Sequence, residues 1–158
     1  MVRRRASRGF TMIELMVTLF IIALLALMAA PLGSAWVRSA QVRLTVHRLA
    51  EAMAQAKALA LRNPNAAKDD EPAALLLSAG SQLCVLGTIP GGFDCSDPVV
   101  WTAKTQAPVT LNGQATQCVA LNNQALTVSA MIGQVTCGSS LSYVVDSGST
   151  EAASGTLN

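Results

Sequence analysis

Hydrophobic and polar positions follow three different rhythms along the chain. From Leu15 to Leu32 the residues are apolar almost without a break, interrupted only by Thr18 and Pro31. A helix of about 18 residues, rising ~1.5 Å per residue, nearly spans the ~30 Å hydrocarbon core of a bilayer. Past Pro31 the pattern becomes a stripe. Val42, Val46, Leu49, Met53, Ala56 and Ala60 recur at three- and four-residue spacing, which sets them on one face of a continuing helix. Arg38, Arg43, Arg48, Glu51, Gln55 and Arg62 fall mostly elsewhere on the wheel. Asn63-Pro64-Asn65 ends the helix, since proline lacks a backbone donor and disfavours helix in the residue before it. From Phe10 to Arg62 such a helix would reach ~80 Å. Pro31 and Gly33 are expected to weaken or melt it locally, so that subunits could pack around a curved core.

The third rhythm belongs to short strands. "NPNAAKDDEPAA" reads as a polar, proline-flanked linker. Strand-like runs follow at 74–78, 83–87, 99–103, 109–111, 118–121, 125–129 and 141–145. Between them lie "PGG" (90–92), "DCSDP" (94–98), "NG" (112–113), "NNQ" (122–124) and "CGSS" (137–140), all turn chemistry. The tail "DSGSTEAASGTLN" is small and polar and reads as a mobile end or a surface loop. The pattern predicts an α+β fold: a long N-terminal helix, membrane anchor at one end and amphipathic spine at the other, packed on an antiparallel sheet.

Composition sharpens this picture. The chain has 158 residues, 51% hydrophobic and only 13% charged, and the Leu15–Leu32 run carries much of that bias. Arg3, Arg4, Arg5 and Arg8 precede the run. The positive-inside rule therefore puts the N-terminus in the cytoplasm and everything beyond Pro31 outside the inner membrane. Four cysteines, Cys84, Cys95, Cys118 and Cys137, contain no Cys-x-x-Cys pair and suit an oxidising, periplasm-like compartment. They allow three connectivities. Cys84–Cys95 with Cys118–Cys137 is favoured, because each pair brackets a turn-rich segment between strand-like runs; another pairing or free thiols are the alternatives.

An ordinary cleaved signal peptide is the plain reading of the N-terminus, with small-residue sites near Ala30 and Ala35. Two features argue against it. The apolar run is longer than a usual signal core, and Glu14 stands at its start. A charge at membrane depth costs ~2.5–3.5 kcal/mol even on lenient insertion scales, so a carboxylate kept there is a functional candidate.

"RGFTMIELMVTLFIIALLALMAAP" (8–31) resembles the N-terminus of type IV prepilins and type II secretion pseudopilins. The resemblance implies a basic leader ending at Gly9, cleavage by a prepilin peptidase before Phe10, and methylation of the new amino group of Phe10. It makes Glu14 the family's assembly glutamate, facing the Phe10 amine of a neighbouring subunit and setting register, as one buried polar group does in coiled coils. Pro31 takes the place of the helix-kinking proline. The domains then read 1–9 leader peptide, 10–32 transmembrane and filament-core helix, 33–63 amphipathic second half of the helix, and 64–158 β-rich head. "AQAKALALRN" (54–63) partly matches the helix end of the FimT/FimU and GspH types, with Lys57 in place of arginine and Leu59 in place of an acid. Beyond residue 63 only composition is similar.

Other chemistry is sparse. The head has no G-x-S-x-G, H-E-x-x-H, P-loop or histidine, so an enzyme is not expected, nor a cofactor or small-molecule substrate. His47, the sole histidine, lacks a ligand partner at metal spacing. Asp69, Asp70 and Glu71, or Asp94 with Asp97, are calcium candidates without the alternating spacing of a dedicated loop; solvated loop carboxylates are the better reading. Trp36 suits an interfacial anchor or a packing residue, and Trp101 and Tyr143 the core or its rim. The helix arginines read as a solvated face, with lipid headgroups or acidic neighbours as the alternative. Over residues 63–158, Lys68 and Lys104 stand against seven acids, a formal −5, which argues against nucleic-acid binding by the head. The expectation is a minor type IV pilin that primes or caps pilus assembly, held in the inner membrane and then in the filament. A minor pseudopilin of a type II secretion system is the alternative within the class; a periplasmic binding module with a cleaved signal peptide is the alternative outside it.

Overall fold

The computed structural model describes residues 9–89, 95, 99–139, 142–148 and 152–157, the side chains of 29–32 excepted. The chain divides into two compact units, Met1–Val37 and Arg38–Asn158. One helix, α1 (Met12–Arg62), contributes to both. Its backbone stays helical through Pro31 and Gly33, so the local melting expected there is absent from the single chain. Proline at an interior position removes one hydrogen bond, and the turns on either side carry the helix past it.

In the second unit ten strands follow the helix: β1 (Ala74–Ala79), β2 (Gln82–Leu86), β3 (Val99–Lys104), β4 (Val109–Leu111), β5 (Thr116–Leu121), β6 (Thr127–Val128), β7 (Met131–Ile132), β8 (Val135–Thr136), β9 (Ser142–Val145) and β10 (Ala153–Thr156). They form a five-stranded sheet in the order β3-β2-β1-β5-β6, a three-stranded sheet β10-β9-β4 and the hairpin β7-β8. All pairs are antiparallel. An α+β arrangement results.

The central strands are buried on both faces, which explains why β1 and β2 read as apolar runs without alternation. One face, with Leu76, Leu83, Val85, Val119 and Leu121, packs against Leu49, Ala52, Met53, Ala56 and Ala60 of α1. Burying a side chain such as Leu49 contributes ~1.5–3 kcal/mol. The opposite face, with Leu75, Leu77, Leu86 and Ala120, is covered by Ile132 of the small hairpin and by the cysteines. Cys84 is joined to Cys95 and Cys118 to Cys137, the favoured pairing. Cys84 and Cys118 flank Leu77 on its two neighbouring strands. Each bridge thus ties a core strand to a cysteine packed on the same side of the sheet.

Polar contacts lock the helix to the loops around it. The buried Thr45 hydroxyl accepts hydrogen bonds from the N–H groups of Gln106 (3.3 Å) and Ala107 (3.2 Å), and Arg48 donates to the Lys104 carbonyl. The stretch after α1 is no free linker. Asn63 exchanges two hydrogen bonds with the Ala67 backbone, Asn65 donates to the Gly87 carbonyl, and Asn122 donates to the Asp69 carbonyl at 2.7 Å. At 112–113 the chain makes a two-residue hairpin loop with positive φ at both Asn112 (50°) and Gly113 (76°), the type I′ geometry that Asn-Gly favours.

The tail departs from expectation. Ala153–Thr156 is a strand on β9, in register Gly155↔Tyr143, and Leu157 packs against the core. A Cβ on Gly155 would lie 2.8 Å from the Tyr143 hydroxyl oxygen and 2.9 Å from ring carbons. The aromatic ring therefore occupies the space the glycine leaves open, a cross-strand pairing that covers bare backbone. The turns expected at 90–92 and 94–98 lie outside the described residues, apart from Cys95.

Candidate functional site

The first unit presents its chemistry at the start of α1. Thr11 caps the helix: its hydroxyl accepts the Glu14 N–H at 3.3 Å and its carbonyl accepts the Leu15 N–H at 3.2 Å. Thr11 and Glu14 thus hold the T-x-x-E spacing of a capping box, with the acid in the first turn where the helix dipole favours negative charge. The Glu14 carboxylate is exposed and has no hydrogen-bonding partner among the described residues. One turn on, the Thr18 hydroxyl donates to the Leu15 carbonyl at 2.9 Å. That back-bond satisfies the hydroxyl within the helix and makes it tolerable in hydrocarbon.

From Phe10, 79% exposed, to Met28, 73% exposed, the large apolar side chains stand open. The helix is long and apolar enough to cross a membrane, and its apolar window is unburied. So extended an uncovered apolar surface calls for lipid or partner helices around it. Gly9 and Phe10 precede the helix in irregular, exposed backbone with nothing within 4 Å of a Cβ built on Gly9. The Gly9–Phe10 peptide bond is thus open to solvent ahead of the capped helix.

The family model for the prokaryotic N-terminal methylation motif matches residues 4–30. This motif marks type IV pilin-like and pseudopilin-like proteins, and the N-terminus of this chain is similar to theirs. No curated protein and no solved structure gives a match to the chain. The match ends within the apolar part of α1, while the second unit stands on its own geometry.

The head's sequence candidates do not converge on a second site. Asp69 accepts a hydrogen bond from Asn123 at 3.0 Å and Glu71 from the Lys68 N–H at 3.1 Å, so both serve the loop that they belong to. Among the described residues no group of three or more His, Cys, Asp or Glu side chains could hold a metal ion; Asp94 and Asp97 lie outside them. His47 is exposed on α1 and Trp36 is 76% exposed. Trp101 and Tyr143 are half-buried against the core. The residue that pattern reading passes over is Thr11. Its signal, a threonine three residues before an acid at the mouth of an apolar run, is legible in "TMIE".

Proposed function

We propose that the chain is a minor type IV pilin: a subunit processed between Gly9 and Phe10, methylated at Phe10, and built into a pilus or its tip through α1. The observation that carries this reading is Glu14, an exposed carboxylate in the first turn of an uncovered apolar helix, four residues after the proposed new terminus. In the bilayer Glu14 stays near the cytoplasmic interface, where water reaches it. In a filament of packed apolar helices it needs a cation, because an unpaired buried charge is strongly destabilising. The Phe10 amine of a neighbouring subunit supplies that cation. The pairing selects one register as the helix leaves the membrane, and a bend at Pro31 and Gly33 belongs to that assembled state.

The partners on this account are other pilins, the prepilin peptidase and the inner membrane, with the head on the periplasmic side. The partial match of "AQAKALALRN" to FimT/FimU and GspH helix ends supports a minor subunit. Glu14 argues against the pseudopilin type that lacks this acid and caps the tip. A minor pseudopilin of a type II secretion system is the second reading, favoured by the same helix end. Co-purification with sheared pili separates the two.

Glu14→Gln tests the mechanism better than Glu14→Ala, because glutamine keeps the size and polarity of the side chain and loses only the charge. Both variants should be cut at Gly9–Phe10 as the native chain is, and both should fail to enter the filament. Normal incorporation of Glu14→Gln would show that the Glu14 charge plays no part in assembly.

A further inference from the structure

Within the second unit, the face of α1 turned away from the sheet carries a second pattern. Leu44, His47, Glu51, Ala54, Ala58 and Leu61 are all exposed and recur at alternating three- and four-residue spacing. This is the spacing of a helix–helix seam, laid opposite the buried stripe of Leu49, Ala52, Ala56 and Leu59. Ala54 and Ala58 permit close approach of a second helix, and Leu44 and Leu61 supply apolar contacts at its two ends. The centre is polar, with His47 and Glu51 one turn apart.

Charge decides what this seam accepts. Arg43 and Arg62 border it, are exposed, and have no hydrogen bond or ion pair among the described residues. From Arg38 to Arg62 the helix carries five cations, Arg38, Arg43, Arg48, Lys57 and Arg62, against the single acid Glu51. An identical helix laid along this face would set arginine beside arginine, and like-charge juxtaposition opposes pairing.

We infer that the exposed seam of α1 between Leu44 and Leu61 is a docking surface for the helix of a different pilin-like subunit, one that borders its own seam with Asp or Glu, and that it rejects a second copy of this chain. The inference rests on the pilin reading above and deepens it: it names the partner's charge and says why the chain would enter an assembly as a minority subunit. His47 and Glu51 are then specificity-determining positions, because a partner must offer polar groups at their level or leave them unpaired at a buried contact.

A photo-crosslinking residue placed at Ala54 in the full-length chain, in producing cells, tests this directly. The expected adduct joins the chain to a different protein that itself carries an N-terminal methylation motif and an acid-bordered helix, identified by mass spectrometry. Arg43→Glu with Arg62→Glu should lower that adduct about tenfold, as reversal of complementary charges does at interfaces. A homodimeric adduct, an adduct indifferent to the reversal, or no adduct from a chain cut at Phe10 overturns the inference and leaves the pilin reading standing. A chain not cut at Gly9–Phe10 overturns both.

Discussion

At the scale of single residues, small polar side chains decide how the pieces hold together. Thr45 is wholly buried in α1, yet its hydroxyl answers two backbone N–H groups of the β3–β4 loop. Thr45→Val keeps the shape and removes the acceptor, leaving buried donors unsatisfied at a cost of ~1–3 kcal/mol. Chemical denaturation of the full chain in detergent should show that loss, with Thr45→Ser closer to native. Equal stability of the valine variant would mean that the hydroxyl contributes nothing. Asn122 plays a similar part: it accepts from the Gln124 and Leu126 N–H groups and donates to Asp69. Such roles are not legible in the sequence, where "NNQ" says only that the chain turns. The bonds of Thr45 and the Asn122 bond to Asp69 reach partners some 53 to 62 residues away.

At the scale of elements, apolar pattern carried most of the information. The spine stripe and the main strand runs are legible because burial needs a periodic or continuous apolar signal. The strand Ala153–Thr156 has neither. Its residues are small, and what holds it is the Tyr143 ring lying over Gly155, a pairing no local window reveals. Gly155→Ala forces that ring aside and should cost ~1–3 kcal/mol by overpacking, measurable as a lower melting temperature; an unchanged value would show that the ring moves freely. The short strands Met131–Ile132 and Val135–Thr136 escape pattern reading for a different reason, being too brief to show a period. They nevertheless cover the back of the sheet, beside the cysteines. Replacing Cys118 and Cys137 together by alanine should therefore destabilise the head by ~2–5 kcal/mol and uncover the Leu75–Leu77 face to an apolar dye. A reduced protein as stable as the oxidised one would contradict that role.

At the scale of the whole molecule, two kinds of surface coexist in one chain. The helix is apolar and uncovered over Phe10 to Met28, then basic from Arg38 to Arg62; the residues beyond it are acidic. The apolar half of α1 was legible because a membrane demands a long apolar run. The candidate site was legible in "GFTMIEL" by its resemblance, whereas the capping by Thr11 emerges from the helix geometry. Everything proposed for function turns on one event, the cut between Gly9 and Phe10. The most direct measurement is the intact mass and N-terminal sequence of the protein recovered from cell envelopes. The account predicts a chain that begins at Phe10 and carries one extra methyl group. A chain beginning near Pro31 or Trp36 would contradict it, making this an ordinary exported protein in which Glu14 leaves with the signal peptide.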